Sequence, residues 1–301
     1  MSLDLFRHIQ GEVRFDEPMR RHSSFRIGGP ADVFVSPAGV DDLCTVLREA
    51  GECEMPVTII GAGTNLLVSD EGIRGCVIKI GRGLGGMRRE GERVIAGAGA
   101  PIAKVARWAA GLGLSGLEFA EGIPGSVGGA VTMNAGAHGS HISCVLEEVQ
   151  VADKSGQLFN LPGSQLELGY RTSVIRTEHE FTVTAATFQM TTDTTEAIFE
   201  RMQAIGERRR RTQPLGQACA GSIFKNPPGD YAARLIESCG LKGLRINDAM
   251  VSPVHANFIV NVGNAKAVDV IRLIETVRQR VLDDTGVHLQ LELEIIGLEG
   301  H

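Results

Sequence analysis

Gly122-Ile123-Pro124-Gly125-Ser126-Val127-Gly128-Gly129-Ala130 is the stretch on which the reading of this chain turns. Four glycines and one proline in nine residues make a loop that is costly to order. A chain keeps such a loop where something must lie against its backbone. The alternative is a long surface loop, but the interleaved Ile123, Val127 and Val131 argue against full exposure to solvent. The stretch runs on into Thr132-Met133-Asn134-Ala135-Gly136-Ala137, again small and polar. A second patch, Gly61-Ala62-Gly63-Thr64-Asn65-Leu66-Leu67, follows the apolar run Val57 to Ile60. Small residues there let backbone N–H groups approach a pyrophosphate. The patch looks like the start of a dinucleotide-binding fingerprint, yet Leu66 stands where the third glycine belongs, so a Rossmann unit is disfavoured. A plain strand–turn is the alternative for this patch.

Working outward, short strands alternate with helices. Val40 to Ala50 carries Leu43, Val46, Leu47 and Ala50 at helical spacing. Val57–Ile60, Cys76–Ile80, Arg93–Ala96, Val145–Val151 and Phe181–Phe188 read as strands, and Pro101 as the first residue of a helix through Trp108. The polar run Thr191 to Thr195 precedes a helix with Ile198, Met202 and Ile205 on one stripe, and a domain boundary is placed there. The expected organisation is residues 1–190, in parts of about 1–80 and 81–190, followed by 191–301. In the last part a helix is expected from Ala265 to about Asp284, stopped by Gly286. A strand over Leu289–Ile295 is expected after it, leucines on one face and Gln290, Glu292 and Glu294 on the other.

Composition narrows the function classes. A length of 301 residues suits two or three domains, and 43% hydrophobic with 22% charged residues is ordinary for a globular protein. A net charge of −6 gives no global attraction to nucleic acid or an anionic membrane, so an anionic ligand needs local basic groups. One Trp and two Tyr argue against a stacking platform for single strands. The six cysteines form no C-x-x-C pair, which fits reduced thiols and disfavours zinc or a disulfide framework. His138 and His141 have no further ligands nearby, so no metal is expected. The N-terminus has no signal-like pattern and no run is apolar enough to span a bilayer, so a cytoplasmic location is expected.

Other residues carry weaker signals. Glu207-Arg208-Arg209-Arg210-Arg211 is ordinarily a solvated helix end, where arginines also suit the helix dipole. Here it lies upstream of Gly221-Ser222-Ile223-Phe224-Lys225-Asn226-Pro227, a plausible seat for an oxygen-rich anion. No G-x-S-x-G elbow surrounds Ser222, which disfavours a hydrolase nucleophile. By default His255 is structural and Glu292 faces water.

Taken together in order, these segments resemble the UDP-N-acetylenolpyruvoylglucosamine reductase family. The resemblance runs from Ser24-Phe25-Arg26-Ile27-Gly28-Gly29-Pro30-Ala31 through Gly61–Val68, then Gly116-Leu117-Glu118-Phe119 and Gly122–Ala137. It continues with Gly169-Tyr170-Arg171-Thr172-Ser173, Gln213-Pro214-Leu215-Gly216 and Ala220–Pro227. It ends with Val251-Ser252, His255–Asn261 and Leu291-Glu292, so nearly the whole chain is covered. It implies an α+β fold: a vanillyl-alcohol-oxidase-like (PCMH-type), two-part FAD-binding module followed by a smaller α+β substrate-binding domain. It implies FAD as cofactor, NADPH as hydride donor and a UDP-linked enolpyruvyl sugar as substrate, with no obligate protein partner evident.

The resemblance also implies residue roles. Hydride addition at C3 of the enolpyruvyl group leaves negative charge at C2, which a fixed cation and an acidic hydrogen-bonding group can stabilise. Arg171 would neutralise the carboxylate, Ser222 would protonate C2 and Glu292 would assist the enolate. Cofactor contacts are implied for Gly61, Ala62, Gly63, Thr64, Asn65, Leu66, Gly122, Ile123, Pro124, Gly125, Ser126, Gly128, Gly129, Asn134, Ala135 and Gly136. Substrate contacts are implied for Tyr170, Arg210, Lys225 and Asn226. Ile246-Asn247-Asp248-Ala249 and Val254 depart from the family pattern, and the Tyr-bearing loop of one subgroup is missing, which places the chain with the compact subgroup. The rivals are another flavoprotein oxidase of the superfamily, a non-enzymatic nucleotide-sugar sensor and, distantly, a Rossmann dehydrogenase.

Overall fold

The computed structural model describes residues 6 and 8–298. In chain order the first half holds β1 (Glu12–Pro18), β2 (Pro30–Ser36), α1 (Val40–Glu52), β3 (Val57–Ile60), β4 (Leu66–Val68), β5 (Ile73–Lys79), β6 (Met87–Glu90), β7 (Arg93–Gly97), α2 (Ile102–Gly111), β8 (Leu114–Ser115), α3 (Val127–Thr132), β9 (Gly136–Ala137) and β10 (Ser140–His141). The second half holds β11 (Leu146–Asp153), β12 (Leu158–Pro162), α4 (Val174–Glu178), β13 (Phe181–Gln189), β14 (Thr191–Thr192), α5 (Thr195–Thr212), β15 (Ala218–Ser222), α6 (Ala232–Ser238), β16 (Arg245–Ile246), β17 (Ala249–Val251), β18 (Phe258–Asn261), α7 (Ala267–Thr285) and β19 (Glu294–Ile296).

Packing groups these elements into two compact units. The first holds the described residues up to Phe15, Val33–Ala62 and Gly75–Arg208; the second holds Asp16–Asp32, Gly63–Arg74 and Arg209 onward. The division falls inside β1, β2, β5 and α5, whereas the expected organisation follows chain order. Within the first unit, β12-β11-β13-β7-β6 form a five-stranded sheet with antiparallel pairing throughout. Its central strand β13 buries Val183, Ala186 and Phe188. The apolar faces of α1 and α2 complete this core, with Leu43, Val46, Val105 and Ala109 fully buried. Such burial is worth about 25 cal/mol per Å² of apolar surface removed from water. The stripe expected to open the C-terminal part instead joins this core: Ile198 and Met202 are buried, while Ile205 is half-buried.

The second unit is built on an antiparallel sheet, β15-β18-β17-β16. The helix α7 lays Val270, Leu273, Ile274, Val277 and Val281 onto its core. Asp70 caps that helix, its carboxylate accepting from the N–H groups of Ala267 and Val268 at 3.0 and 3.2 Å. At the other end Gly286 takes a left-handed φ of 73° and its N–H donates to Leu282 O, the stop expected from sequence. Phe25, Ile27 and Leu67, from early in the chain, are buried in this second core.

Two local expectations need correction. Pro101 caps α2 from outside, with φ −62° and ψ 122°, rather than opening it. The strand expected over Leu289–Ile295 is regular only over Glu294–Ile296, where it pairs in parallel with β4, Glu294 opposite Leu66. Upstream, Leu291 makes only an isolated bridge to Phe224. The alternation still decides burial, since Leu289 and Leu293 are buried and Gln290 is exposed.

Candidate active site

Two of the glycine-rich segments meet within the first unit. The turn after β3 and the loop before α3 approach so closely that a Cβ on Gly61 would come 2.5 Å from Ser126 Oγ. Ser126, itself buried, caps α3 by accepting from Gly129 N. The loop is anchored on the end of β7 and the start of α2: Gly128 N donates to Ala98 O, Val127 N to Ala100 O, and Ile102 N to Gly125 O, at 2.8–3.0 Å. A Cβ on Gly128 would sit 3.0 Å from that of Ala98. Gly122 and Gly125 take φ of 71° and 143°, which residues with a Cβ rarely adopt. The Gly61 turn and the Gly122–Gly129 loop, both expected at the cofactor, therefore lie against each other and form a surface rich in main chain. Such a surface suits a dinucleotide's pyrophosphate, which takes hydrogen bonds from backbone N–H groups.

The same unit holds Arg171. It lies in the turn Gly169–Thr172, closed by reciprocal backbone bonds between those two residues at 3.2 and 3.4 Å. Arg171 has a left-handed φ of 58°, an uncommon state for a residue with a Cβ that clusters at functional positions. Its Nη2 donates to Gly136 O at 3.0 Å, its carbonyl accepts from Arg176 Nη1 at 2.7 Å, and its guanidinium lies 5.3 Å from the Tyr170 ring centre. Ser173 Oγ donates to Thr132 O at 2.6 Å. The segment Thr132–Gly136, continuous with the glycine-rich loop through α3, therefore carries Arg171. Tyr170 is 54% exposed.

In the second unit, Ser222 ends β15 opposite Phe258, after a register shift between Cys219 and Ser222 in which Gly221 takes φ 74°. The chain beyond it is clamped by Asn257, a buried side chain whose Oδ1 accepts from Phe224 N and whose Nδ2 donates to Phe224 O, at 2.9 and 2.8 Å. Glu292 lies alongside: its N–H donates to Ile223 O at 2.9 Å, and its carbonyl accepts from Asn65 Nδ2 at 2.9 Å. Ser222 and Glu292 are thus brought onto one ledge, with Asn65 bracing it and Gly63, Thr64 and Leu66 beside it in sequence. Gly63 is required where it stands, because a Cβ there would lie 2.0 Å from His22 O. Lys225 N donates to Gln290 O at 2.8 Å, and Asn226 Oδ1 accepts from Ala232 N at 3.1 Å, ahead of α6. Arg210 is exposed on α5.

His255, expected to be structural, closes the corner before β18. Its Nδ1 accepts from Asn257 N at 3.3 Å and its ring meets Phe258 edge-on at 4.7 Å. Burial, with the charge of Lys242, pushes its pKa below the usual histidine value. Asn257, Arg176, Ser173 and Thr132 were not singled out from sequence as site residues, although Asn257, Ser173 and Thr132 fall inside the quoted motifs. An Asn set between the apolar Ala256 and Phe258 was the available signal for Asn257. Among the described residues no group of three or more His, Cys, Asp or Glu could hold a metal ion, and no helix is long and apolar enough to cross a membrane.

Residues 213–296 match the UDP-N-acetylenolpyruvoylglucosamine reductase C-terminal domain, and residues 31–162 match an FAD-binding domain. UDP-N-acetylenolpyruvoylglucosamine reductases from Bacillus subtilis and Clostridium botulinum are 44% and 46% identical to this chain, over 95% and 96% of it and 95% and 94% of their own lengths. The chain belongs to the UDP-N-acetylenolpyruvoylglucosamine reductase family. The crystal structure of such a reductase from Thermus caldophilus superposes with a TM-score of 0.82 at 35% identity, covering 96% of this chain and all of that one. The 6-hydroxy-D-nicotine oxidase of Arthrobacter nicotinovorans shares the fold, with a TM-score of 0.57 at 11% identity over 98% of this chain and 91% of its own. The chain is therefore a flavoenzyme of this reductase family with FAD as its cofactor, and the expected fold class holds.

Proposed function

We propose that this enzyme reduces UDP-N-acetylglucosamine enolpyruvate to UDP-N-acetylmuramate, a peptidoglycan precursor, in the cytoplasm, with NADPH as hydride donor and no obligate protein partner. In this reading residues 1–190 serve the flavin and 191–301 the UDP-sugar. The observation that carries it is Arg171, held in a left-handed turn on the segment that continues from the glycine-rich loop. Gly61–Leu66, Gly122–Ser126, Gly128, Gly129 and the main chain of Asn134–Gly136 would hold FAD, which, when bound and reduced, would supply a hydride. Arg171 binds the enolpyruvyl carboxylate and neutralises the charge that develops next to it. Ser222 Oγ gives its proton to C2, and Glu292 hydrogen-bonds the enolate. Tyr170, Arg210, Lys225 and Asn226 bind the UDP-sugar, the cations meeting its phosphates.

The test is a visible spectrum of the purified protein, followed anaerobically by NADPH and then by the UDP-enolpyruvyl sugar. Bleaching by NADPH and recovery of colour with the sugar is the expected result. A flavin that bleaches but ignores the sugar would point to another oxidoreductase of the superfamily. A protein that takes up no FAD would overturn the reading altogether.

A further inference from the structure

Asn134 uses its whole side chain inside the protein. It is 4% exposed and left-handed, at φ 42°. Its Nδ2 donates to Gly169 O at 2.9 Å and its Oδ1 accepts from Ser143 N at 3.0 Å. The first of these bonds lands on the carbonyl that also closes the Gly169–Thr172 turn. That turn has Tyr170 and Arg171 as its two inner residues, and Arg171 occupies left-handed backbone space that disfavours a residue with a Cβ. A conformation of that kind persists only where its surroundings over-determine it. Two contacts on either side of Arg171 run to one short strip: Asn134 to Gly169 O, and Arg171 Nη2 to Gly136 O. The base of the turn and the tip of the guanidinium are thereby referenced to residues two apart.

From this geometry we infer that the Asn134 amide is a positioning group for Arg171: it sets where the guanidinium stands, while the neighbouring main chain is left to the cofactor. The inference rests on the proposed role of Arg171 toward the substrate carboxylate. It separates two jobs within one segment, and the separation can be measured.

The experiment compares Asn134→Ala, the isosteric Asn134→Asp, Arg171→Ala and the Asn134→Ala/Arg171→Ala pair, each as the FAD-loaded enzyme in stopped flow. Asn134→Asp keeps the volume and the acceptor for Ser143 N but replaces the donor to Gly169 O by a carboxylate oxygen that repels it, so it controls for lost volume. Both Asn134 variants should retain FAD and bleach normally with NADPH. Their reoxidation by the enolpyruvyl sugar should slow by about 10²-fold, the effect of a group misplaced by about 1 Å, and the loss should fall on kcat more than on KM. The double variant should be no slower than Arg171→Ala alone, because groups acting through one another are not additive. Loss of FAD with normal turnover per bound flavin would make Asn134 a cofactor contact and overturn the inference, as would additive losses in the double variant. A slow Arg171→Ala beside normal Asn134 variants overturns this inference alone, whereas an unimpaired Arg171→Ala overturns the Arg171 assignment along with it.

Discussion

In the turn from Gly169 to Thr172 the left-handed position is occupied by Arg171 itself. At the end of β15 the same kind of position falls on Gly221, one residue before Ser222, and Ser222 keeps its place in the strand pairing. One site residue carries the backbone strain; the other has a glycine neighbour to carry it. A side chain on a strained residue needs several side chains to hold it, here Asn134, Arg176 and Ser173. A side chain at a strand end is placed by the ladder, and the braces act on its neighbours, Asn257 on Phe224 and Asn65 on Glu292.

The largest expected effect tests what the ledge delivers. Ser222→Ala should leave flavin reduction by NADPH near normal and slow the second half-reaction by about 10²–10⁴-fold, the usual worth of a placed proton donor. Equal losses in both half-reactions, followed by stopped-flow absorbance, would remove Ser222 from the proton path. Next, Asn257→Ala leaves Phe224 N and O buried without their partner, so urea unfolding should show a loss of about 2–4 kcal/mol. Smaller, but aimed at the comparison itself, is a pair of glycine–alanine contrasts. At 171 glycine should be more stable than alanine by about 1 kcal/mol, and at 221 wild-type glycine should likewise exceed alanine by about 1 kcal/mol, whereas at 222 alanine should win. Indistinguishable variants at 171 would mean that the turn is not strained.

The smallest effect is one of pH. The pKa of His255 is lowered by burial, so its neutral form is favoured in the folded state and its Nδ1 stays available to Asn257 N. The unfolded chain then takes up the proton first as pH falls. The stability that depends on neutral His255 is present above the unfolded value of about 6.5 and is lost as pH falls through it toward the lower folded value. His255→Asn, which keeps an acceptor, should flatten that acid-side slope in urea titrations taken at several pH values; an unchanged slope would assign it to other groups.

Much of this was legible in the sequence because it depended on local pattern. The stripe Leu43, Val46, Leu47 and Ala50 specified α1, and the run Val57–Ile60 specified β3 to the residue. The glycine patches at 61 and 122 marked close backbone approach, and they meet each other at Gly61 and Ser126. What stayed hidden depended on partners far away in the chain. The strand pairing near Glu294 is set by Leu66–Val68, which no periodicity around Leu289 can announce. Asn134 and Asn257 reach backbone atoms 35 and 33 residues away, and the side-chain type alone does not say which. The compact units join segments by burial rather than by chain order, so Phe25 and Leu67 belong with residues after Arg209.

Burial by segment rather than by chain order matters during synthesis. Phe25, Ile27 and Leu67 leave the ribosome long before Val270, Ile274 and Leu293, the side chains they are buried with. At usual elongation rates of about 5–20 residues per second the interval is on the order of tens of seconds. Throughout it the early segments expose apolar side chains that the N-terminal part of the chain cannot cover by itself. A nascent chain stalled at Arg208 should therefore be a chaperone client, and it should be released from that dependence once the stretch through Leu293 has emerged.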